Sequence, residues 1–377
     1  MRIGLVTTSY PRSEHDPAGS FVAAHARALR TLGHDVDVIA AGPRSAGDGV
    51  VRLPSTLFER GGAPDALERA PLALVGPAIS FSARLAAAVA IRARRWDAIV
   101  AHWLVPSAIA ALPTRVPLLA IAHGGDVHTL RRARLLAPVL HALHRRGAEL
   151  VFVSHELRAI AIAEVPSLAG WLERATVQPM GLDVARFAAI ERAPTTPPTI
   201  AVAARLVPVK GIDVLLAAAA RLRRETRIVI AGDGPARDEL ERRAARIREL
   251  ARRADVQFLG SVDTTERDRL LGRASVVVVP SRVLPGGRTE GMPMIALEAL
   301  AAGVPVVASE VGGLRELAPA ARLVRPEDPG ALAAAIDAVI AAPPPAAVLK
   351  AAVDHLAWER VALRLCEASA PATRRDA

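Results

Sequence analysis

Residues 3–40 read IGLVTTSYPRSEHDPAGSFVAAHARALRTLGHDVDVIA. The apolar, β-branched run at 3–8 is followed by SFVAAHARALRTLG (20–33), whose apolar residues recur at helical spacing. Ser20 suits an N-cap there and Gly33 the stop after the last turn. A second apolar run, VDVIA (36–40), comes directly behind. Strand, helix, strand in this order closes through a right-handed crossover, so the two strands lie parallel in one sheet. The pattern continues outward. AIVAH (98–102), LLAIAH (118–123), LVFVS (150–154) and TVQPM (176–180) extend the first sheet. IAVAA (200–204), RIVIAG (227–232), VQFLG (256–260), SVVVVP (275–280) and VPVVAS (304–309) build a second. The expected fold is α/β, with two Rossmann-like, doubly wound domains.

Between the two sets of strands, residues 188–199 crowd Pro194, Pro197 and Pro198 into five positions, which predicts a linker. The expected domains are therefore 1–187 and 200–350, followed by a terminal amphipathic helix at 351–369 with Trp358 on its apolar face. A chain of 377 residues suits two cores at about 100–200 residues each. Ligands of such sheets bind at the carboxyl ends of the strands, so the cleft between the domains is the expected site.

Composition excludes several classes. Apolar residues make up 51% of the chain and charges are interspersed, which argues against disorder. The single cysteine, Cys366, excludes an internal disulfide and a cysteine metal cluster. The first apolar run is too short for a signal segment, and no uncharged apolar stretch reaches the roughly 18 residues of a membrane span. The expectation is a cytoplasmic protein. Of 48 cationic residues only Lys210 and Lys350 are lysine. The net charge of +10 comes without aromatic interleaving or a nucleic-acid motif, so no nucleic-acid partner is expected. Nine of the ten histidines precede residue 156, but no His-x-x-x-His shares a face with an acidic third ligand. No metal is expected.

The chemistry concentrates in PGGRTEGMPMIALE (285–298). Pro293 fits the first turn of a helix running to about Ala302, with Gly303 as its stop and Pro305 behind. The free amides of Gly291 and Met292 then sit at a helix N-terminus, which favours phosphate. Glu290 stands at the mouth and Glu298 on the order of 11 Å further along the axis. A nucleotide-sugar has hydroxyl-rich sugars on both sides of its diphosphate, and a carboxylate for each suits it. The plain alternative makes Glu290 a complement to the helix dipole and Glu298 a solvated helix residue. In AARLVPVKGIDVLL (203–216), Arg205 and Lys210 lie on the loop after a strand, where two fixed cations can neutralise a departing diphosphate without a metal. Lys210 stands out in a chain that otherwise uses arginine, and a compact ammonium acts on phosphate as a point charge.

In the first domain, IAHGGDVHTL (121–130) puts His123 at a strand's carboxyl end, with Asp126 expected to cap the next helix. Gly19, just before a helix, is a weak anion signal, and GDGP (232–235) is weaker still. Neither a GxGxxG after the first strand nor a GxxxxGK[ST] is present. A two-domain NAD-dependent oxidoreductase shares the architecture but needs that missing fingerprint. A catalytically silent sugar-nucleotide-binding protein is the other alternative.

These segments, in this order, resemble the retaining GT-B glycosyltransferases of family 4. The similarity runs through TSYPRSEHDPAGSFV, AHWLVPSAIAA, the His-Gly-x-Asp turn, VSHEL, PMGLDVARF, ARLVPVKGIDVLL, AGDGPARDEL, VQFLGSV and TEGMPMIALEALAAGVPVVAS. The resemblance implies that Glu298 holds the ribose, that Glu290 and His123 touch the transferred sugar, and that Arg205 and Lys210 bind the diphosphate. Gly19 would lie near it, and Gly291 and Met292 complete the donor site. It also implies a UDP- or GDP-type donor, no cofactor, retention of anomeric configuration, and a terminal helix crossing back to the first domain. Two departures stand out: Ala204 where many members have glycine, and Met180 for a common asparagine. The acceptor implied is a glycan or a lipid-linked molecule. The stretches 82–96 and 131–146, apolar with arginine ends, suggest weak peripheral contact with an anionic membrane.

Overall fold

The computed structural model describes residues 1–13, 16, 18–43, 49–55, 57, 71–250 and 254–369. The chain forms two compact units, Met1–Gly181 with the segment from Trp358 onward, and Leu182–Ala357.

The first unit is a seven-stranded sheet in the order β3-β2-β1-β4-β5-β6-β7, parallel throughout. Its strands are β1 (Arg2–Val6), β2 (Asp35–Ala41), β3 (Val50–Leu53), β4 (Ala98–His102), β5 (Leu118–Ala122), β6 (Glu149–Phe152) and β7 (Thr176–Val177). β4 and β5 are buried along their whole length, as strands covered on both faces must be. The strand order reverses between β1 and β4. β3 is an addition to the expected set, and β7 stops after two residues, short of Pro179. The helix Ser20–Thr31 forms as its periodicity predicts, but Gly19, not Ser20, is its N-cap. Gly19 has φ 71°, and a Cβ there would lie 2.4 Å from Ser9 O. Close backbone approach, not side-chain capping, decides this helix start.

The second unit is a six-stranded sheet, β10-β9-β8-β11-β12-β13, again all parallel. Its strands are β8 (Thr199–Ala203), β9 (Thr226–Ala231), β10 (Ala254–Gly260), β11 (Ala274–Val279), β12 (Val306–Ser309) and β13 (Arg322–Val324). One apolar core covers each face: Val277, Leu297 and Leu300 on one side, Ile200, Leu215 and Ile336 on the other. The reversal falls between β8 and β11.

Residues 182–199 are part of this second unit, so the proline-rich stretch is docked structure. The short helix Val184–Ala188 is capped by Asp183. Arg192 donates to the carbonyls of Leu271, Gly272 and Ala274, and Ala193 N donates to Gly272 O. Lys350, which carried no role in the sequence, donates from Nζ to Ala188 O at 2.9 Å and satisfies the end of that helix. The expected terminal helix divides at the same boundary as the fold. Residues up to Ala357 stay with the second unit, and the helix Trp358–Ser369 packs in the first. Trp358 is buried there, with its indole filling the space that a Cβ on Gly181 would enter at 2.5 Å.

The stretch 131–146 is two helices, Gly125–Arg132 and Leu136–Arg145, broken where Arg134 takes φ 57°. The stretch 82–96 belongs mostly to a longer helix, Pro71–Ala93. Among the described residues its part Ala73–Ala93 has the length and mean hydropathy, 1.7, of a membrane-crossing helix, which was not expected. Arg84 interrupts it, and Phe81, Leu85 and Val89 anchor it in the core of the first unit, while Val75, Ile79 and Ile91 are exposed.

Candidate active site

In the second unit, the loops that follow β8, β11 and β12 meet at the carboxyl edge of the sheet. Two glycines show how close they come. A Cβ on Gly211 (φ 62°) would lie 1.9 Å from Pro280 O, and one on Gly312 (φ 55°) would lie 2.1 Å from Glu290 O. Arg282 N donates to Val209 O at 3.0 Å and ties the first two loops together.

Within this knot Lys210 Nζ lies 2.7 Å from Glu290 Oε1, and the two side chains are 22% and 12% exposed. Ser281 Oγ donates to the same carboxylate oxygen at 3.4 Å. Lys210 ends the turn Pro208–Lys210 that opens the helix Ile212–Ala219. Glu290 precedes the helix Met294–Ala301, whose N-cap is Pro293, so that it starts one position later than expected, and whose stop is Gly303 at φ 71°. The backbone N–H groups of Gly291 and Met292 are bonded to no other described residue. The mouth of this helix therefore offers two donors beside an ammonium.

Arg205 is exposed on the loop after β8. That loop is shaped by the GDGP segment, whose role is steric. A Cβ on Gly232 would lie 1.8 Å from Ala204 O, and Leu206 N donates to Asp233 O at 2.9 Å.

Glu298 is not a solvated helix residue. It is 6% exposed, and its Oε1 accepts from Arg267 Nη1 at 3.0 Å. The Arg267 guanidinium lies over the Phe187 ring, 5.5 Å from its centroid, and Arg186 lies over the same ring at 4.9 Å while pairing with Asp268. Burial pushes the Glu298 carboxyl above its ordinary pKa, and Arg267 and then Arg186 pull against that rise. Arg267, Phe187 and Ser281 were absent from the expected site. Arg267 sits in TTERDRLLGR, an ordinary charged helix in sequence, and only the packing of Thr264–Arg273 reveals its direction.

In the first unit, His123 follows β5 and is half-buried. Its Nε2 lies 3.0 Å from His102 Nδ1, and its ring packs against Trp103 and Phe21, with centroids 4.8 and 5.3 Å away. Asp126 does not cap the next helix. The N-cap is Gly124 (φ 105°), and Asp126 is buried in the first turn. Its Oδ1 accepts from the N–H groups of His123, Gly124 and Val127, and its Oδ2 from Leu104 N at 2.7 Å. Burial raises its pKa and these amides lower it. The carboxylate thus folds the His-Gly-Gly-Asp turn around itself and aims His123. Gly19 lies at the carboxyl edge of the same sheet, after β1. Among the described residues no group of three or more His, Cys, Asp or Glu side chains is arranged to hold a metal ion.

Two parallel, doubly wound units, the second with a lysine–glutamate pair before a helix, define the class: a two-domain α/β protein of the Rossmann-like type. Comparison with known proteins names it. The model of glycosyltransferase family 4 matches residues 18–186, and that of glycosyl transferases group 1 matches residues 183–354. A glycogen synthase of Mycobacterium tuberculosis is 32% identical over 90% of this chain and 86% of its own. A GDP-mannose-dependent alpha-(1-6)-phosphatidylinositol monomannoside mannosyltransferase of the same organism is 30% identical over 84% and 82%. Among solved structures, sucrose-phosphate synthase from Thermosynechococcus elongatus is similar with a TM-score of 0.71 at 23% identity, covering 97% of this chain and 98% of that one. Anabaena HepE in complex with UDP-glucose gives 0.68 at 19% identity over 97% and 98%. The chain belongs to the GT-B glycosyltransferases of family 4. The dehydrogenase alternative falls with that membership.

Proposed function

We propose that this glycosyltransferase moves a sugar from a UDP- or GDP-type nucleotide-diphosphate donor to a glycan or lipid-linked acceptor, with retention and without a divalent metal. The observation that carries the reading is the Lys210–Glu290 pair beside the unbonded amides of Gly291 and Met292. Lys210 and Arg205 meet the charge that builds on the leaving diphosphate, and the helix mouth adds two N–H donors. Glu290 commits Oε1 to Lys210, which leaves Oε2 for a hydroxyl of the donor sugar. Glu298, oriented by Arg267, takes the ribose hydroxyls. As the bond from the anomeric carbon to the phosphate oxygen breaks, the acceptor oxygen bonds that carbon from the same face. The acceptor proton passes to the departing phosphate oxygen. His123 and Gly19 serve the donor at the carboxyl edge of the first sheet. Relatives whose names specify GDP-mannose and UDP-glucose support both donor classes.

A thermal-shift panel of UDP, GDP, ADP and their sugars tests the donor. A ligand at 100 Kd adds about 2.7 kcal/mol and raises the melting temperature. With the donor known, transfer that persists in EDTA and gives a product of unchanged anomeric configuration supports the rest. Transfer abolished by EDTA, or inversion, overturns it.

For a lipid-linked acceptor, the helix Pro71–Ala93 is the surface for peripheral contact with the inner face of an anionic membrane. It exposes Val75, Ile79 and Ile91 along with the cationic Arg84. Failure to cosediment with anionic liposomes at low salt removes this contact.

A further inference from the structure

His25, His102 and His123 form a hydrogen-bonded chain of imidazoles. His25 Nδ1 lies 3.0 Å from His102 Nε2, and His102 Nδ1 lies 3.0 Å from His123 Nε2. His25 and His102 are fully buried. Burial pushes His25 and His123 down to about 3 and holds His102 well below its ordinary pKa, so all three rings are neutral. Each neutral ring owns one N–H, and each link needs one N–H and one lone pair. Only two arrangements then satisfy the chain.

In the first, every proton points outward: His25 Nδ1–H donates to His102, His102 Nδ1–H donates to His123 Nε2, and His123 carries its own proton on Nδ1. In the second, every proton points inward, and the chain ends on an Nε2–H of His25. That Nε2 is buried without a partner. The His25 ring is stacked on Trp358, with centroids 5.1 Å apart and planes 13° apart, so an in-plane N–H cannot aim at the indole face. A buried orphan N–H costs about 1–3 kcal/mol, and such groups are rarer in folded proteins than under-used acceptors. The outward arrangement leaves only a lone pair at the blind end. Asp126 takes none of these protons: the groups that donate to its oxygens are the backbone amides of Leu104, His123, Gly124 and Val127.

We propose that His25 and His102 are positioning residues that lock His123 in its Nδ1–H tautomer, so that His123 meets the sugar as a hydrogen-bond donor to a hydroxyl oxygen and not as a proton acceptor. The sugar contact rests on the function proposed above; the tautomer does not.

The test is a two-bond proton–nitrogen correlation spectrum of the full chain labelled with 15N-histidine at pH 7.5, with His123 assigned from its loss in His123→Gln. The expected pattern has Nδ1 protonated and Nε2 bare; the reverse pattern in the native protein overturns the lock. His25→Phe removes the donor to His102 and should convert His123 to a mixture of tautomers, with kcat/KM for transfer lowered at least tenfold. His25→Asn, whose amide can donate from near the Nδ1 position, should restore both. A folded His25→Phe protein that keeps the native spectrum also overturns the lock. If the spectrum is as expected but His123→Phe transfers sugar at the native rate, the ligand contact is overturned while the tautomer lock stands.

Discussion

Lys210 Nζ and Glu290 Oε1 are 2.7 Å apart although 80 positions separate them in sequence, because the loops after β8 and β11 cross at Gly211. Under the function proposed above, the pair joins the cation that meets the leaving phosphate to the carboxylate that meets the sugar.

Removing the cation therefore acts on turnover. Lys210→Ala is expected to lower kcat by roughly two to three orders of magnitude, as loss of a preorganised charge at a developing oxyanion does. Steady-state kinetics with circular dichroism on the same sample checks it. A loss below tenfold in a folded variant places the leaving group elsewhere.

Arg267 and Glu298 form a pair whose side chains are only 13% and 8% exposed. Breaking it from one side leaves a buried charge, so Arg267→Met should cost about 3–5 kcal/mol of stability and raise the donor KM. Arg267→Met combined with Glu298→Gln should recover most of the stability but not the KM. Urea unfolding and donor titration separate the two effects.

Gly211 admits no side chain. Gly211→Ala places a Cβ 1.9 Å from Pro280 O at φ 62°, so the β8 and β11 loops must part. Transfer should fall at least tenfold. Gly33→Ala, also at positive φ but with open space around its Cβ, should lower stability by about 1 kcal/mol and leave transfer intact. Equal activity losses in the two variants would contradict this account.

The buried histidines make stability pH-dependent. His25 and His123 have folded pKa values of about 3 against about 6.5 unfolded, so the unfolded chain binds protons first as pH falls. Stability is fully present above pH 6.5 and declines below it, by about 2 kcal/mol per histidine between pH 8 and pH 5. Asp126, with its raised pKa, works in the opposite direction. Urea unfolding at both pH values measures the decline, and His25→Asn should remove its own share. A variant with the native pH dependence contradicts the neutral-chain arrangement.

Much of this was legible in the linear chain. Apolar runs bounded by turn residues announce strands buried on both faces, and the local chemistry of TEGMP announces a helix mouth with a carboxylate before it. Such features depend on neighbours a few positions away. β3 and β13 escaped because three or four residues carry too little pattern. The supposed linker escaped because prolines report a broken helix, not what the broken segment packs against.

Sequence alone determined two parallel α/β units, the placement of Lys210 on a strand-to-helix loop, of Glu290 at a helix mouth and of His123 at a strand's end, and the family. The tertiary structure decided that Lys210 pairs with Glu290, that Arg267 grips Glu298, and that three histidines line up behind one another. The physical reason is range: helix and strand periodicity act over a few residues, whereas these pairings arise from side chains 21 to 80 positions apart meeting only when the sheet brings loop ends together.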